Sequence, residues 1–179
     1  MSNFSFIHDT VLQSNLDKAF EHIVDLLTLS ESESYKNKFA LVSSLRKTII
    51  IHTASIIEAL LLWQLKKLIS TKKFEMSDEW KYFNVVILYQ ANNSLEVIAG
   101  KRRKEKKDID HLDFLRITDI CLKNNVLNSE KLRDEIDRVR ILRNRLHIGG
   151  LVEVEKEYTK KDLEFCFQVA DKIKKLVQS

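Results

Sequence analysis

Between Arg140 and Gly150 the chain reads Arg-Ile-Leu-Arg-Asn-Arg-Leu-His-Ile-Gly-Gly, and its capacity for chemistry is concentrated there. His147 titrates near neutral pH and can serve as either acid or base. Arg140 and Arg143 each carry a planar fork of donors that fits phosphate or carboxylate oxygens. Asn144 adds an amide able to orient an anion or an imidazole. A second stretch, Lys101-Arg-Arg-Lys-Glu-Lys-Lys107, holds six basic residues in seven. Lys101, Arg102, Arg103 and Lys104 could grip the backbone of RNA, and equally could form a solvated arm.

Other groups point away from metal and cofactor chemistry. Cys121 and Cys166 have no metal-ligand spacing and fall at apolar helix positions, which reads as buried thiols in a reducing compartment. His8, His22 and His111 have no metal spacing with nearby acids, and His52 reads as a core or interface histidine. No phosphate-binding glycine loop and no serine nucleophile motif occurs. No metal and no cofactor is expected.

The helix that must position the Arg140–Gly150 residues can be drawn as a wheel. At about 100° per residue, Leu132, Ile136, Val139, Leu142 and Leu146 share one arc, the expected buried face. Arg143 falls inside that arc, while Arg140 and His147 lie on its shoulder and Asn144 just beyond. An arginine on an apolar arc needs a partner. Glu58 is the matching oddity: on its own helix it shares a face with Ile51, Ala54, Leu61, Leu62 and Leu65. The two charges suggest each other, as a functional pair or as an ion pair that only fixes helix register.

The remaining elements follow from pattern and punctuation. The chain has 179 residues, 44% hydrophobic and 31% charged, with no proline and three glycines, which suits one globular domain over residues 1–179 built of long helices. Val11 to Leu27 predicts a first amphipathic helix. Ser30-Glu-Ser-Glu-Ser34 offers a capping box for a second, from about Ser34 to Ile69 and apolar nearly all round in its second half. Tyr82 to Tyr89, a turn at Asn92-Asn93 and Leu95 to Ala99 predict a β-hairpin. A short helix from Phe114 ends near Asn124-Asn125. Asn128 or Ser129 caps the helix that runs to His147 and stops at Gly149-Gly150. Thr159, with Asp162 three residues on, opens a last helix with the stripe Leu163, Cys166, Ala170, Ile173 and Val177. The expected fold is mainly α, an up-and-down helical bundle with a small β-hairpin insertion at about residues 80–105. The start Met1-Ser-Asn-Phe-Ser-Phe lacks the basic and apolar regions of a signal peptide. His52, Thr53, Ser55, Glu58 and Gln64 interrupt the apolar run Thr48 to Leu65, making it a poor membrane span and a good core helix. A cytoplasmic protein with no membrane partner is expected. A net charge of +4 permits an acidic partner such as RNA.

Leu142-Arg-Asn-Arg-Leu-His-Ile148, near the end of a penultimate helix, resembles the motif of the HEPN superfamily, and Ser55-Ile-Ile-Glu58-Ala-Leu-Leu resembles an acidic helix of that group. The family motif is an arginine, often followed by a polar residue such as asparagine, then four to six residues and a histidine. Arg143 has the asparagine but only three residues before His147; Arg140 has six and lacks the asparagine. Either could be the motif arginine. The resemblance implies a dimeric helical bundle and a metal-independent endoribonuclease of toxin–antitoxin, phage-defence or RNA-processing type. His147 would act as general acid or base, Arg140 and Arg143 on phosphate, with Asn144 and Glu58 in the site. It also implies an antitoxin or a protein from a neighbouring gene as partner. The same resemblance covers non-catalytic members that bind RNA, nucleotides or proteins as dimers.

Overall fold

The computed structural model describes residues 2–71, 73, 76, 78–92, 95–106, 108–145 and 156–178. It is mainly helical with one two-stranded antiparallel hairpin. The elements are α1 (Thr10–Ser30), α2 (Phe39–Ser70), β1 (Asp78–Asn92), β2 (Leu95–Lys106), α3 (Phe114–Lys123), α4 (Glu130–Asn144) and α5 (Lys160–Gln178). The chain divides into two compact units, one of Met1–Leu65 with Asp113–Ser179, the other of Lys66–Leu112.

In the helical unit, local capping sets where each helix begins. Asp9 accepts from the Val11 and Leu12 amides to open α1, Asp113 accepts from Arg116 to open α3, and Ser129 accepts from Leu132 to open α4. Thr159 and Asp162 exchange bonds ahead of α5: the Thr159 amide donates to Asp162 at 2.9 Å and the Asp162 amide to the Thr159 hydroxyl at 3.3 Å. One expected start moves. Instead of entering a helix at Ser34, the chain tightens at Glu33–Tyr35 into a 3-10 turn, and α2 begins at Phe39. The amides of Tyr35, Lys36 and Lys38 bond three residues back, which turns the chain between α1 and α2. At the far end of α3, Asn125 takes φ 57° and the Val126 amide closes onto Cys121, the left-handed stop that asparagine tolerates.

The core sits on α2. Ile49, Ile50, Ala54, Ile57, Leu60, Leu61 and Leu65 are fully buried, as are Ile136 and Val139 of α4 and Cys166, Val169 and Ile173 of α5. Val169 rather than Ala170 therefore completes the α5 stripe. Phe4 and Ile7 join this core ahead of α1, and Phe6 meets Trp63 edge-on at 6.0 Å. Among the described residues α2 is the one helix long and apolar enough to cross a membrane, and half of that stretch is buried inside the protein. Both cysteines are buried and free, and burial pushes each thiol up to about 12.

In the second unit β1 and β2 pair from Asp78↔Lys106 to Asn92↔Leu95, with three register shifts that leave 15 residues of β1 against 12 of β2. One bulge spans Asn84 and Val85, where Asn84 takes φ 51°. Gly100 faces it, and a Cβ there would lie 3.1 Å from the Val85 side chain, so any larger residue would push Val85 aside by a few tenths of an ångström. The basic run, expected to follow the apolar strands, is part of β2 and pairs with Trp80–Phe83.

Candidate functional site

Helix α4 places its residues as the wheel requires. Leu132, Ile136, Val139 and Leu142 are buried, while Arg138, Ile141 and Asn144 are exposed. Arg143, on the buried arc, donates from Nη1 to Glu58 Oε2 of α2 at 2.7 Å, and its guanidinium sits 5.8 Å from the Phe114 ring centre at the start of α3. Three helices thus converge on one cation. The pair is partly buried, with 31% of the Arg143 side chain and 24% of Glu58 exposed. Among the described residues Glu58 is the sole hydrogen-bond partner of that guanidinium.

Arg140 points to a different partner. Its Nε donates to Asp137 at 2.7 Å within the same helix, and both side chains are about three-quarters covered. The i,i+3 spacing of Asp137 and Arg140 was legible in the sequence and is a signal the sequence reading missed. Helix α4 ends at Asn144, with the Arg145 amide bonded back to the Arg143 carbonyl. The expected continuation to His147 and the stop at Gly149-Gly150 lie outside the described residues. The structure therefore brings Arg143 and Glu58 together and keeps Arg140 about one turn before Arg143 and Asn144 directly after it in the same helix, while His147 lies outside the described residues.

Chemically, a half-exposed guanidinium held by a carboxylate and an aromatic face is positioned and still reachable by solvent. It can offer its remaining N–H groups to an anion without reorganising. The helices around it are tied by polar bonds that sequence reasoning also missed. Arg133 of α4 donates to Asp119 of α3 at 3.0 and 3.1 Å, which raises its already high pKa, and Lys172 of α5 reaches Glu135 of α4 at 2.6 Å. A cavity of about 360 Å³ is lined mostly by apolar residues such as Phe4, Phe20, Ile56 and Leu60, with Thr53, Asp171 and Lys174 among its polar lining, and none of Glu58, Arg140 or Arg143 lines it.

Lys101, Arg102, Arg103 and Lys104 are all exposed on β2. Cross-strand partners share a face of the ribbon, which puts Arg102 and Lys104 with Trp80 and Tyr82, and Lys101 and Arg103 with Lys81 and Phe83. Arg102 lies 4.3 Å and Lys104 5.5 Å from the Trp80 ring centre, and Arg103 lies 5.7 Å from that of Phe83. Glu105, bonded to Lys81 and Arg103, has its carboxyl held below the usual range by those two cations. The aromatic partners were visible in the sequence, but their pairing with the basic residues depends on register.

His22 and His52 rings meet at 5.6 Å, and His52 is lowered from its ordinary value by burial and then by His22. His111 sits 3.4 Å from Asp108. Among the described residues no three His, Cys, Asp or Glu side chains converge as a metal site. No protein-family model, no curated protein and no solved structure matches the chain.

Proposed function

We propose that this chain is a HEPN-like, metal-independent endoribonuclease, acting in the cytoplasm as a homodimer of toxin or phage-defence type. The observation that carries the reading is the Arg143–Glu58 pair: a cation on the buried arc of α4, fixed by a carboxylate from α2 yet about one-third exposed. A pair that only locks helix register has no need of solvent access, whereas a phosphate-binding arginine requires it. The basic and aromatic base of the ribbon adds a surface suited to RNA, with cations for backbone phosphates and exposed Trp80 and Tyr82 for stacking.

In this reading His147 takes the proton from a 2′-hydroxyl, the freed oxygen attacks the adjacent phosphorus, and the 5′-oxygen leaves with a proton from a second acid. His147 of a second copy, related by a two-fold axis, supplies that acid. Arg143 and Arg140 stabilise the charge on the phosphorane and Asn144 orients it. An antitoxin or neighbouring-gene protein would restrain the activity.

The test is cleavage of single-stranded RNA by the purified chain in EDTA, with 2′,3′-cyclic phosphate ends as the expected product. His147→Ala should lower the rate by about 10²–10⁴-fold while RNA affinity stays nearly unchanged. Wild-type cleavage that survives His147→Ala would sink the assignment. One observation favours a second reading, a non-catalytic dimeric module that binds RNA, a nucleotide or a protein. Arg140 and Arg143 are both already bound to carboxylates, Asp137 and Glu58. RNA binding without any cleavage would select it.

A further inference from the structure

The cavity of about 360 Å³ lies within the helical unit, bounded by α1, α2 and α5. At about 100° per residue Thr53, Ile56 and Leu60 share one face of α2 and Glu58 lies on the other, so the cavity is separate from the Arg143 site. Its floor is buried: Ile23 of α1 and Thr53, Ile56 and Leu60 of α2 are each at most 6% exposed. Its rim is open, with Phe20 38% and Val24 46% exposed. Protein cores keep few voids larger than a water, and apolar cavities of about 150 Å³ already take up benzene. A volume of about 360 Å³ falls within the range of small-molecule sites.

The two charged residues that line it, Asp171 and Lys174 of α5, are not equivalent. Asp171 is paired with Lys175 at 2.7 Å, one turn along the same helix. Lys174 stands 5.3 Å from the ring centre of Phe4, and among the described residues no carboxylate bonds it. The acid is thus neutralised within α5, while the ammonium keeps its charge beside an apolar space. An apolar body with one anionic end complements that arrangement, whereas a cationic end would meet Lys174 with like charge. At about 30 Å³ for each water-sized group, the cavity holds about twelve non-hydrogen atoms, the size of a ten-carbon acid. A phospholipid, with two longer chains, exceeds that volume.

We infer that this cavity binds a free medium-chain fatty acid, its alkyl chain over Ile56 and Leu60 and its carboxylate on Lys174 Nζ. The inference does not rest on the nuclease reading. Calorimetric titration of the whole chain with decanoate, below the concentration at which it forms micelles, should give a single site. Affinity should rise roughly fourfold with each methylene from hexanoate to decanoate. The gain should level off beyond about ten carbons, where the volume is filled. Decyltrimethylammonium should bind more weakly than decanoate by about tenfold or more. Lys174→Gln should weaken decanoate about tenfold and leave decanol unchanged, since only the charged end loses its partner. Ala170→Phe, which puts a ring into the cavity, should abolish binding of both with the helical circular dichroism unchanged. Absence of decanoate binding, equal binding of decyltrimethylammonium, or an affinity for decanoate unchanged in Lys174→Gln overturns the inference. Pelleting with phosphatidylglycerol vesicles in place of decanoate binding would overturn it in favour of a lipid surface.

Discussion

The same three residue types meet twice in this molecule, with different consequences. Arg143 lies 5.8 Å from the ring centre of Phe114 and bonds Glu58; Arg103 lies 5.7 Å from that of Phe83 and bonds Glu105. In the helical unit the partners come from three helices, and the arginine is 31% exposed. In the ribbon they come from one register step, and the arginine is 70% exposed. An ion pair partly removed from water is felt by the fold when one side is lost, because the other side stays desolvated. The exposed one trades a protein partner for water at little cost. The apolar runs repeat the contrast. Ile49 to Leu61 is largely core, whereas Val85 to Tyr89, no less apolar, is exposed.

That contrast breaks first, and most visibly, on core truncation. Leu61→Ala should cost about 2–5 kcal/mol of unfolding free energy in urea, because it leaves a cavity in a fully covered site. Leu88→Ala, at a 66% exposed position, should stay within about 0.5 kcal/mol. An equal cost at both positions would erase the distinction between core and ribbon.

The ion pairs come next. Glu58→Ala or Arg143→Ala should each lower stability by about 1–3 kcal/mol, between the values for surface and buried pairs. The double variant should cost less than the sum, as a thermodynamic cycle would measure. Arg103→Ala should leave the unfolding midpoint where it is.

A smaller effect concerns RNA. Replacing Lys101, Arg102, Arg103 and Lys104 by glutamine should flatten the salt dependence of single-stranded RNA affinity, by about 0.7 in slope for each phosphate the segment no longer neutralises. The cleavage step itself should be unaffected. An unchanged slope in titrations at several salt concentrations would remove the ribbon base from the RNA surface.

The smallest is a pH effect. His52 is depressed, so on acidification the unfolded chain binds a proton before the folded one does. Its contribution is complete above the unfolded value near 6.5 and is lost as pH falls through the folded value. Urea midpoints should therefore decline below about pH 6.5 in wild type and less steeply in His52→Gln.

The sequence by itself determined the helix phases, the hairpin with its turn near Asn92, the capping of α4 and α5, and the oddity of two opposite charges on two apolar helix faces. These are legible because periodicity and capping are local: a residue's face follows from its neighbours within one or two turns. It did not determine that Ser30–Ser34 closes α1 and turns rather than starting α2, since helix and 3-10 turn share the same serine and glutamate signals. It paired Arg143 with Glu58 but did not determine that the pair stops half-buried. Tertiary structure decided that, because depth of burial depends on elements up to 85 residues away in the chain. It also decided which apolar surface is finished. Hydrophobicity marks Ile57 and Ile87 alike, and only the packing of other helices over Ile57 makes one of them core.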